Sequence, residues 1–364
     1  MTDKIRAWIR LAEIKDMNFQ KTLKLVDEFG EPDHFIGKKH EGIQKSIYLS
    51  SQNKTDLADP KEPHDWGRIC KLVERYDIQF ISYLDEEYPS LLKSIYSAPL
   101  YLFYRGKITK ADLSRNLAIV GTRKATNYGK TMAKEFATTL AKSGFTIISG
   151  LAYGIDTMSH KAALEAGGRT IAVMATGCDQ IYPQANKELA EMIVENGCLL
   201  SEYNPGQKAE MWNFPARNRI ISGLSLGTLV VEGNQQSGAL LTAKFALDQN
   251  RDLFALPGDI NREESSGPNS LIRMGAKCVT SSKDILDEYH ISVSQDEQQY
   301  FFPELSPKED KIYQYMLQNR PEVYFDQLIV NTGYTVGELS TLLLSLELKK
   351  VIQRLPGSKF SLVY

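Results

Sequence analysis

Short apolar runs recur through residues 115–290 and restrict the possible folds more than any other feature of the chain. Segments with helical periodicity, such as YGKTMAKEFATTLAKS (128–143), separate most of these runs. Runs that are apolar at successive positions are typical of strands covered on both faces. Strand–helix alternation then predicts a parallel, doubly wound α/β sheet. The runs are LAIVGT (117–122), FTIISG (145–150), RTIAVMATG (169–177), CLLSEY (198–203), GTLVVEG (227–233), RDLFALPG (251–258) and KCVTS (277–281).

The flanking regions predict two further domains. The N-terminal region combines a helical apolar pattern with a polar run that predicts a loop (50–65) and two strand-like runs, IQFISYL (78–84) and PLYLFYRG (99–106). At the other end, three helical segments precede a β-hairpin that turns at Pro356-Gly357, which matches the winged-helix plan. We therefore expect an N-terminal helical domain with short strands (1–110), a sheet domain (111–290), a linker (291–306) and a winged helix (307–364).

Composition and charge limit the class of protein. With 42% apolar and 24% charged residues, the 364-residue chain has the composition of a globular protein. Its formal net charge of -2 argues against a uniformly basic coat, so any polyanion site must be a local patch. No apolar run is long enough to span a membrane, and the charged N-terminus does not resemble a signal peptide, so we expect a cytoplasmic protein. The scattered cysteines and histidines predict reduced thiols and no metal site.

A candidate phosphate clamp lies in FPARNRIISGLS (214–225). Pro215 is typical of the first turn of a helix, so a helix is expected to begin here. Arg217, Asn218 and Arg219 follow directly, which places two guanidinium groups near a helix N-terminus. Unpaired N–H groups and the helix dipole attract anions there, and arginine can hold phosphate bidentately.

The ends of the predicted strands suggest where such a ligand binds, because open parallel sheets bind ligands outside their carboxyl edge, near a switch in strand order. The first turn, GTRKATNYGK (121–130), places Arg123 and Lys124 beside Gly121. It lacks both the GxGxxG and the Walker A patterns, which disfavours NAD and P-loop ATP and leaves no cofactor implied. A cation pair suited to a phosphate remains, the alternative being a surface ion pair of Arg123.

Later turns add further candidates. The turn after Gly150 carries Asp156, a possible helix cap, with His160 and Lys161 one turn later. We interpret His160 as a structural neighbour of that cap. Tyr182 either stacks on a base or forms a packed turn with Pro183. Ser237 and Gly238 open a helix that also carries Lys244, and residues 257–276 predict a long loop over the site.

These turns hold phosphate without an evident means of breaking a bond. The serine lies in no GxSxG elbow. Glu202 and Glu232 follow strands, and we expect them to bond loop N–H groups in preference to acid–base work.

Several segments closely resemble the DprA/Smf family of bacterial DNA-processing proteins. They include VGTRKATNYG (120–129), SGLAYGIDTMSHKAAL (149–164), SEYNPG (201–206) and FPARNRIISGLS (214–225). The resemblance implies a helical SAM-like N-terminal domain, an extended Rossmann-like sheet domain and a C-terminal winged helix. It also implies single-stranded DNA binding in a basic pocket, homodimerisation through the Rossmann domain, and loading of the recombinase RecA onto incoming DNA during natural transformation. The family is not known for catalysis.

Motif positions and turn positions together give the predicted DNA-binding residues. Some relatives carry a lysine in the YPxxN turn where this chain has Gln184 or Ala185. The predicted residues are Gly121, Arg123, Lys124, Gly150, Lys161, Tyr182, Arg217, Asn218, Arg219, Ser237, Gly238 and Lys244.

The role of the winged helix and two alternative functions of the whole chain are also open at this point. Residues 305–364 contain seven Lys/Arg against six Asp/Glu and an apolar third helix, which favours a protein-contact or auxiliary role over duplex binding. A nucleotide hydrolase related to lysine-decarboxylase-like nucleosidases is the alternative, although the PGGxGTxxE signature is missing. A DNA-binding regulator acting through the winged helix is the third possibility.

Overall fold

A computed structural model describes residues 2–109, 112, 114–291, 305–319, 322–349, 351–355 and 357–362. The chain divides into two compact units, with the boundary after residue 292. Residues 292–304 of the predicted linker lie outside the described residues.

The first unit is built on a nine-stranded sheet that confirms the doubly wound α/β prediction. The strand order is β1-β2-β6-β5-β4-β3-β7-β8-β9, with antiparallel pairing at β1–β2 and β2–β6 and parallel pairing elsewhere. Because β1 and β2 join this sheet, the sheet begins within the predicted N-terminal domain. The strands are β1 (Gln79–Ser82), β2 (Tyr101–Gly106), β3 (Asn116–Val120), β4 (Thr146–Ser149), β5 (Thr170–Val173), β6 (Gly197–Ser201), β7 (Gly227–Val230), β8 (Asp252–Ala255) and β9 (Lys277–Cys278).

The N-terminal helices pack against the antiparallel edge of the sheet. Ile5, Trp8 and Ile9 recur at helical spacing in the first helix and are buried in one core with Phe103 of β2. The polar run 50–65, expected as a loop, contains a helix instead, because Ser50 and Asn53 form a capping box at its start. These helices are α1 (Thr2–Ala12), α2 (Phe19–Phe29), α3 (Glu41–Lys45), α4 (Ser51–Ala58) and α5 (Trp66–Arg75).

Helices cover both faces of the sheet, which explains the continuous apolar strands. One core joins Ile220 and Leu271 to Ile148, and the other joins Phe136 and Ala163 to Ile119. The helices are α6 (Ser90–Lys93), α7 (Asn127–Lys142), α8 (Ile155–Glu165), α9 (Lys187–Asn196), α10 (Asn213–Gly223), α11 (Gly238–Asp248), α12 (Glu263–Arg273) and α13 (Ser282–Glu288).

The second unit is the predicted winged helix. Its three helices enclose a core of its own that includes Ile312, Leu328 and Leu343. A short strand adds to the expected hairpin by pairing with its second strand, and Pro356 of the predicted turn lies outside the described residues. The elements are α14 (Pro307–Gln318), β10 (Val323–Tyr324), α15 (Phe325–Thr332), α16 (Val336–Leu348), β11 (Ile352–Leu355) and β12 (Lys359–Leu362).

Candidate nucleic-acid interface

A cavity of about 790 Å³ opens at the carboxyl edge of the parallel strands. The strand order reverses between β3 and β7, and the turns that follow these two strands both line the cavity. This is the switch point at which open α/β sheets bind ligands. Eight of the predicted residues line the cavity, namely Gly121, Arg123, Lys124, Tyr182, Arg217, Asn218, Ser237 and Gly238.

The turn after β3 presents two cations to the cavity mouth. Thr122 donates its N–H to the Glu232 carbonyl at 2.7 Å, and the buried Glu232 carboxylate accepts the N–H of Thr126 at 3.0 Å and the Thr126 hydroxyl. These bonds fix the turn while Arg123 and Lys124 remain exposed. Neither side chain belongs to an ion pair among the described residues, so the turn offers positive charge to an external ligand.

Two aromatic rings extend from these cations along the wall of the cavity. The Arg123 guanidinium lies 5.4 Å from the centroid of the Phe214 ring, within the range of a cation–π contact. The Tyr182 ring lies 5.4 Å from the Phe214 ring at an interplanar angle of 58°. Tyr182 is 49% exposed, so it packs on one side and leaves a face open. The wall therefore combines an exposed guanidinium with aromatic surfaces, which is the kind of arrangement on which phosphates and bases can bind.

The motif suggests that Arg217 reaches out to a phosphate. In the structure its side chain is buried in the floor of the cavity instead. Its Nη1 donates to the carbonyl of Gly150 at 2.9 Å and to the carbonyl of Val173. A Cβ at Gly150 would lie 2.5 Å from Arg217 Nη2, so glycine is needed there to admit the guanidinium. Burial lowers the pKa of Arg217 to about 10, which leaves it charged near neutral pH.

Asp156 is buried, lines the same part of the cavity and stabilises the turn before α8. Its carboxylate accepts the N–H of Gly150 at 3.1 Å and of Ala152 at 3.3 Å. Asp156 is therefore not the cap of α8, because the N-cap residue is Gly154. Burial raises the pKa of Asp156, and the positive charge of Arg217 opposes that rise.

His160, interpreted from the sequence as a neighbour of an Asp156 cap, lies in the core and bonds Thr170 of β5. It is fully buried, and its Nδ1 lies 2.7 Å from the Thr170 hydroxyl, which itself donates to the Ile147 carbonyl. The hydroxyl therefore accepts from Nδ1–H, and Nε2 has no partner among the described residues. Burial lowers the pKa of His160 to about 3, with a further contribution from the charge of Arg217.

The four remaining predicted residues do not line the cavity. Gly150 leaves room for the Arg217 guanidinium in the cavity floor. Arg219, two residues after Arg217, pairs with the Glu202 carboxylate outside the cavity lining. Lys161 and Lys244 are exposed on α8 and α11.

The N-terminus of α11 closes another side of the cavity. The Ser237 hydroxyl caps the helix by accepting the Ala239 N–H at 3.3 Å, and the Asn218 amide donates to the Gly238 carbonyl at 3.3 Å. The Asn218 contact holds the start of the helix against α10. The positive end of the helix dipole therefore faces the same space as Arg123.

Residues 257–276 form helix α12 over much of their length, so the predicted long loop is wrong. Pro268 lies inside this helix and cannot donate to the Glu264 carbonyl. The N–H of Gly233 fills that place at 2.7 Å, which ties α12 to the turn after β7. Glu263 and Glu264 of this helix also line the cavity.

Sequence reasoning missed three groups at the cavity: Phe214, the Glu263–Glu264 pair and Met211. Phe214 opens the motif that drew attention to the arginines, and an aromatic residue at a helix start beside two cations was the available signal. Among the described residues, no cluster of His, Cys, Asp or Glu is placed to hold a metal ion, and all four cysteines are free. None of the described helices is long and apolar enough to cross a membrane.

Comparison with known proteins identifies the family. The model for DNA recombination-mediator protein A matches residues 79–290, which is more than half of the chain. The chain belongs to the DprA/Smf family. The DprA winged helix domain matches residues 303–358, in agreement with the fold of the second unit. The DprA of Bacillus subtilis (strain 168) is 43% identical over 237 residues, covering 65% of this chain and 78% of the relative.

Solved DprA structures have the same fold as this DprA/Smf protein. The X-ray structure of Streptococcus pneumoniae DprA superposes with a TM-score of 0.67 at 34% identity, covering 79% of this chain and 98% of that one. A Helicobacter pylori DprA structure, described for its single-stranded DNA binding mode, gives a TM-score of 0.54 at 30% identity. That match covers 59% of this chain and 96% of the Helicobacter chain.

Proposed function

We propose that this protein is a cytoplasmic single-stranded-DNA-binding recombination mediator, and that the cavity at the switch point is its DNA site. Arg123 and Lys124 bind backbone phosphates, while Tyr182 and Phe214 stack on bases. Asn218, Ser237 and Gly238 line the strand's path at the start of α11, and Arg217 holds the floor in shape.

The observation that carries the proposal is the contact between Arg123 and Phe214, 5.4 Å apart, at an open cavity mouth. A single strand alternates phosphates with unpaired bases, and proteins bind it with positive grooves and aromatic rings. A duplex keeps its bases stacked inside, so the two rings would gain nothing from it. The relationship to the Helicobacter pylori DprA, described as binding single-stranded DNA, supports the same ligand.

The wider role rests on family membership. We propose that the protein protects incoming DNA and loads RecA during natural transformation, and that it works as a homodimer through the sheet unit. We also propose that it acts by binding and not as an enzyme. The buried acidic groups near the cavity, Asp156 and Glu232, are occupied by loop N–H groups, which supports a structural use for both.

A titration of the purified protein with labelled single-stranded and double-stranded oligonucleotides, at two salt concentrations, tests the proposal. We expect tighter binding of the single strand than of the duplex. The affinity should fall steeply with salt, because lysine and arginine side chains that bind phosphates release counterions from the strand. Equal affinity for the duplex would contradict the proposal. Incubation with nucleoside monophosphates tests the alternative, since release of free base would indicate a nucleotide hydrolase.

A matched pair of lysine variants locates the site. Lys124→Ala should weaken single-strand binding, whereas Lys142→Ala should leave it unchanged. Both lysines are exposed, but Lys142 lies at the far end of α7, whose 16 residues span roughly 24 Å. A larger loss in Lys142→Ala than in Lys124→Ala would place the DNA elsewhere.

A further inference from the structure

Two apolar side chains immediately before Phe214 are unusually exposed. Met211 is 87% exposed and Trp212 is 70% exposed, and Met211 lines the cavity. The chain has three tryptophans, of which Trp8 is fully buried and Trp66 is half-buried. Trp212 is therefore the exposed one, and it lies at the edge of the proposed DNA site.

The backbone holds this exposed pair in place. The Asn213 side chain is buried and donates to the Ala175 carbonyl at 3.1 Å, and its N–H donates to the Glu210 carbonyl at 3.0 Å. The Trp212 carbonyl accepts the Ala216 N–H at 3.3 Å and so begins the hydrogen bonding of α10. The indole is thus presented from an anchored segment and gains little burial from the fold itself.

The arrangement matches the path of a strand that leaves the cavity. The Arg123 guanidinium lies against Phe214 and is available to a phosphate. Trp212, the exposed N-cap residue of α10, is two residues before Phe214. Every base has a π-face, so aromatic rings placed in succession can stack on successive bases whatever the sequence. Trp212 is a large exposed indole next to Met211, which lines the cavity that contains the cations. A nucleobase suits this place better than a purely apolar partner, because an apolar partner would leave the neighbouring cations without counter-charge.

We propose that Trp212, supported by Met211, stacks on a base of the bound strand outside the cavity and so extends the DNA site beyond Phe214. This inference rests on the proposed function, because it requires that a single strand occupies the cavity. Trp212 then contributes base-dependent affinity, whereas Arg123 contributes affinity that depends on phosphate alone. The two contributions can be separated by removing the bases from the ligand.

The experiment compares an oligothymidylate with an abasic strand of equal length, using the full chain and the variants Trp212→Ala, Trp212→Phe and Arg123→Ala. We expect Trp212→Ala to lose about fivefold or more in affinity for the oligothymidylate and nothing for the abasic strand, because stacking of one base gives a contribution of that order. Trp212→Phe should stay close to the unsubstituted protein. Arg123→Ala should weaken binding of both strands.

Tyr96→Ala is the matched control for loss of an exposed aromatic ring. Tyr96 is 89% exposed and follows α6, which packs at the C-terminal end of α10, away from the cavity. It should bind both strands as the unsubstituted protein does. Quenching of the Trp212 emission by the oligothymidylate, with no quenching by the abasic strand, gives an independent reading on the folded protein.

Each outcome decides between the two proposals. If Arg123→Ala weakens binding and Trp212→Ala does not, the strand occupies the cavity but Trp212 is not a stacking surface, and the inference is overturned. If Trp212→Ala weakens the abasic strand equally, its effect does not come from stacking, which also overturns it. If neither strand binds the unsubstituted protein, the proposed function itself fails.

Discussion

A switch-point cavity and the third helix of a winged helix are both places where proteins of these folds can bind nucleic acids. In this protein the two regions differ in whether their cationic side chains are paired with carboxylates. At the cavity, Arg123 and Lys124 are exposed and take part in no ion pair among the described residues. In the winged helix, three of the four described lysines pair with carboxylates, and Lys311 donates to the Thr332 carbonyl instead. These pairs are Lys308–Glu338, Lys349–Glu309 and Lys359–Glu322.

Their exposed apolar residues also differ in kind. At the cavity they include the exposed Tyr182 ring and the half-buried Phe214 ring, which lies beside the Arg123 guanidinium, together with Met211. On α16, the helix that a winged helix would place in a major groove, the exposed groups are the aliphatic Val336, Leu344 and Leu348, at helical spacing along one side. An aliphatic stripe without cations offers little to phosphates and more to an apolar surface.

We infer from this comparison that unpaired cations beside aromatic side chains are a more direct indication of a nucleic-acid site than the fold is. It supports the expectation of a protein-contact role for the winged helix. It also favours the sheet unit as the place of the proposed single-strand binding. Four measurements test this contrast.

The largest effect is expected from Arg217→Ala. The substitution removes the donor to the Gly150 and Val173 carbonyls and leaves the buried Asp156 carboxylate without its nearby positive charge. We expect the free energy of unfolding of the sheet unit to fall by about 3 kcal/mol, with single-strand binding lost as the floor deforms. Urea denaturation measures the first effect and oligonucleotide titration the second.

Arg217→Lys is the control, since it keeps the charge and one donor and should lose less stability. Full stability of Arg217→Ala combined with weakened binding would mean that Arg217 contacts DNA directly and is not a floor residue.

The second prediction concerns acid sensitivity, which should begin at a higher pH in the sheet unit. His160 has a pKa of about 3 in the folded protein, against 6.5 ordinarily. The unfolded chain therefore binds the proton first, so this contribution to stability is complete above pH 6.5 and is lost as pH falls from 6.5 towards 3. At about pH 5 the loss is on the order of 2 kcal/mol. Asp156, whose pKa is raised by burial, acts in the opposite direction.

In the winged helix, acid sensitivity depends on Glu309. Burial alone would raise its pKa, but Lys349, Ser345 and Ser306 hold it at about 2 by donating to the carboxylate. Its contribution is therefore lost only as pH falls from 4.5 towards 2. Hydrogen exchange, corrected for intrinsic rates and followed separately in each unit, should show the sheet unit losing protection first, and His160→Gln should reduce that loss. Earlier loss in the winged helix would contradict the assignment.

The third prediction is a loss of DNA affinity in Arg123→Ala. Removing one phosphate contact should weaken single-strand binding about tenfold at low salt and reduce the slope of log affinity against log salt by about 0.7. The loss should be similar for all base sequences, because the contact reads no base. A loss confined to particular sequences, or an unchanged salt slope, would count against a backbone contact. The folded state should be unaffected, since Arg123 is exposed.

The periodicity of the chain was sufficient to predict the sheet and the winged helix, and the strand ends indicated where a cavity opens, because apolar runs and helix spacing reflect which faces are buried. It was not sufficient to distinguish Arg217 from Arg123. Both lie in basic turns, and only the three-dimensional position of the Gly150 and Val173 carbonyls shows which guanidinium is buried.

Two local errors have physical reasons as well. Helix α12 contains Gly267 and Pro268, which normally indicate a loop, and it persists because Gly233 donates to the carbonyl that Pro268 leaves open. Gly150 was predicted to approach a ligand, whereas it makes room for a side chain of the same protein. A glycine indicates that something comes close to the backbone and does not indicate what.

The smallest effect is expected from Arg354→Ala, the counterpart of Arg123→Ala in the winged helix. Arg354 is an exposed arginine of β11, so both variants remove one exposed guanidinium from the same net charge. We expect a change in single-strand affinity of less than about twofold, because the attraction from a surface charge that makes no contact with the strand is largely screened at physiological salt. The two variants titrated side by side against single and double strands provide the direct test. A loss in Arg354→Ala as large as in Arg123→Ala, particularly for the duplex, would show that the winged helix binds nucleic acid despite its paired lysines, and the contrast between the two regions would then be wrong.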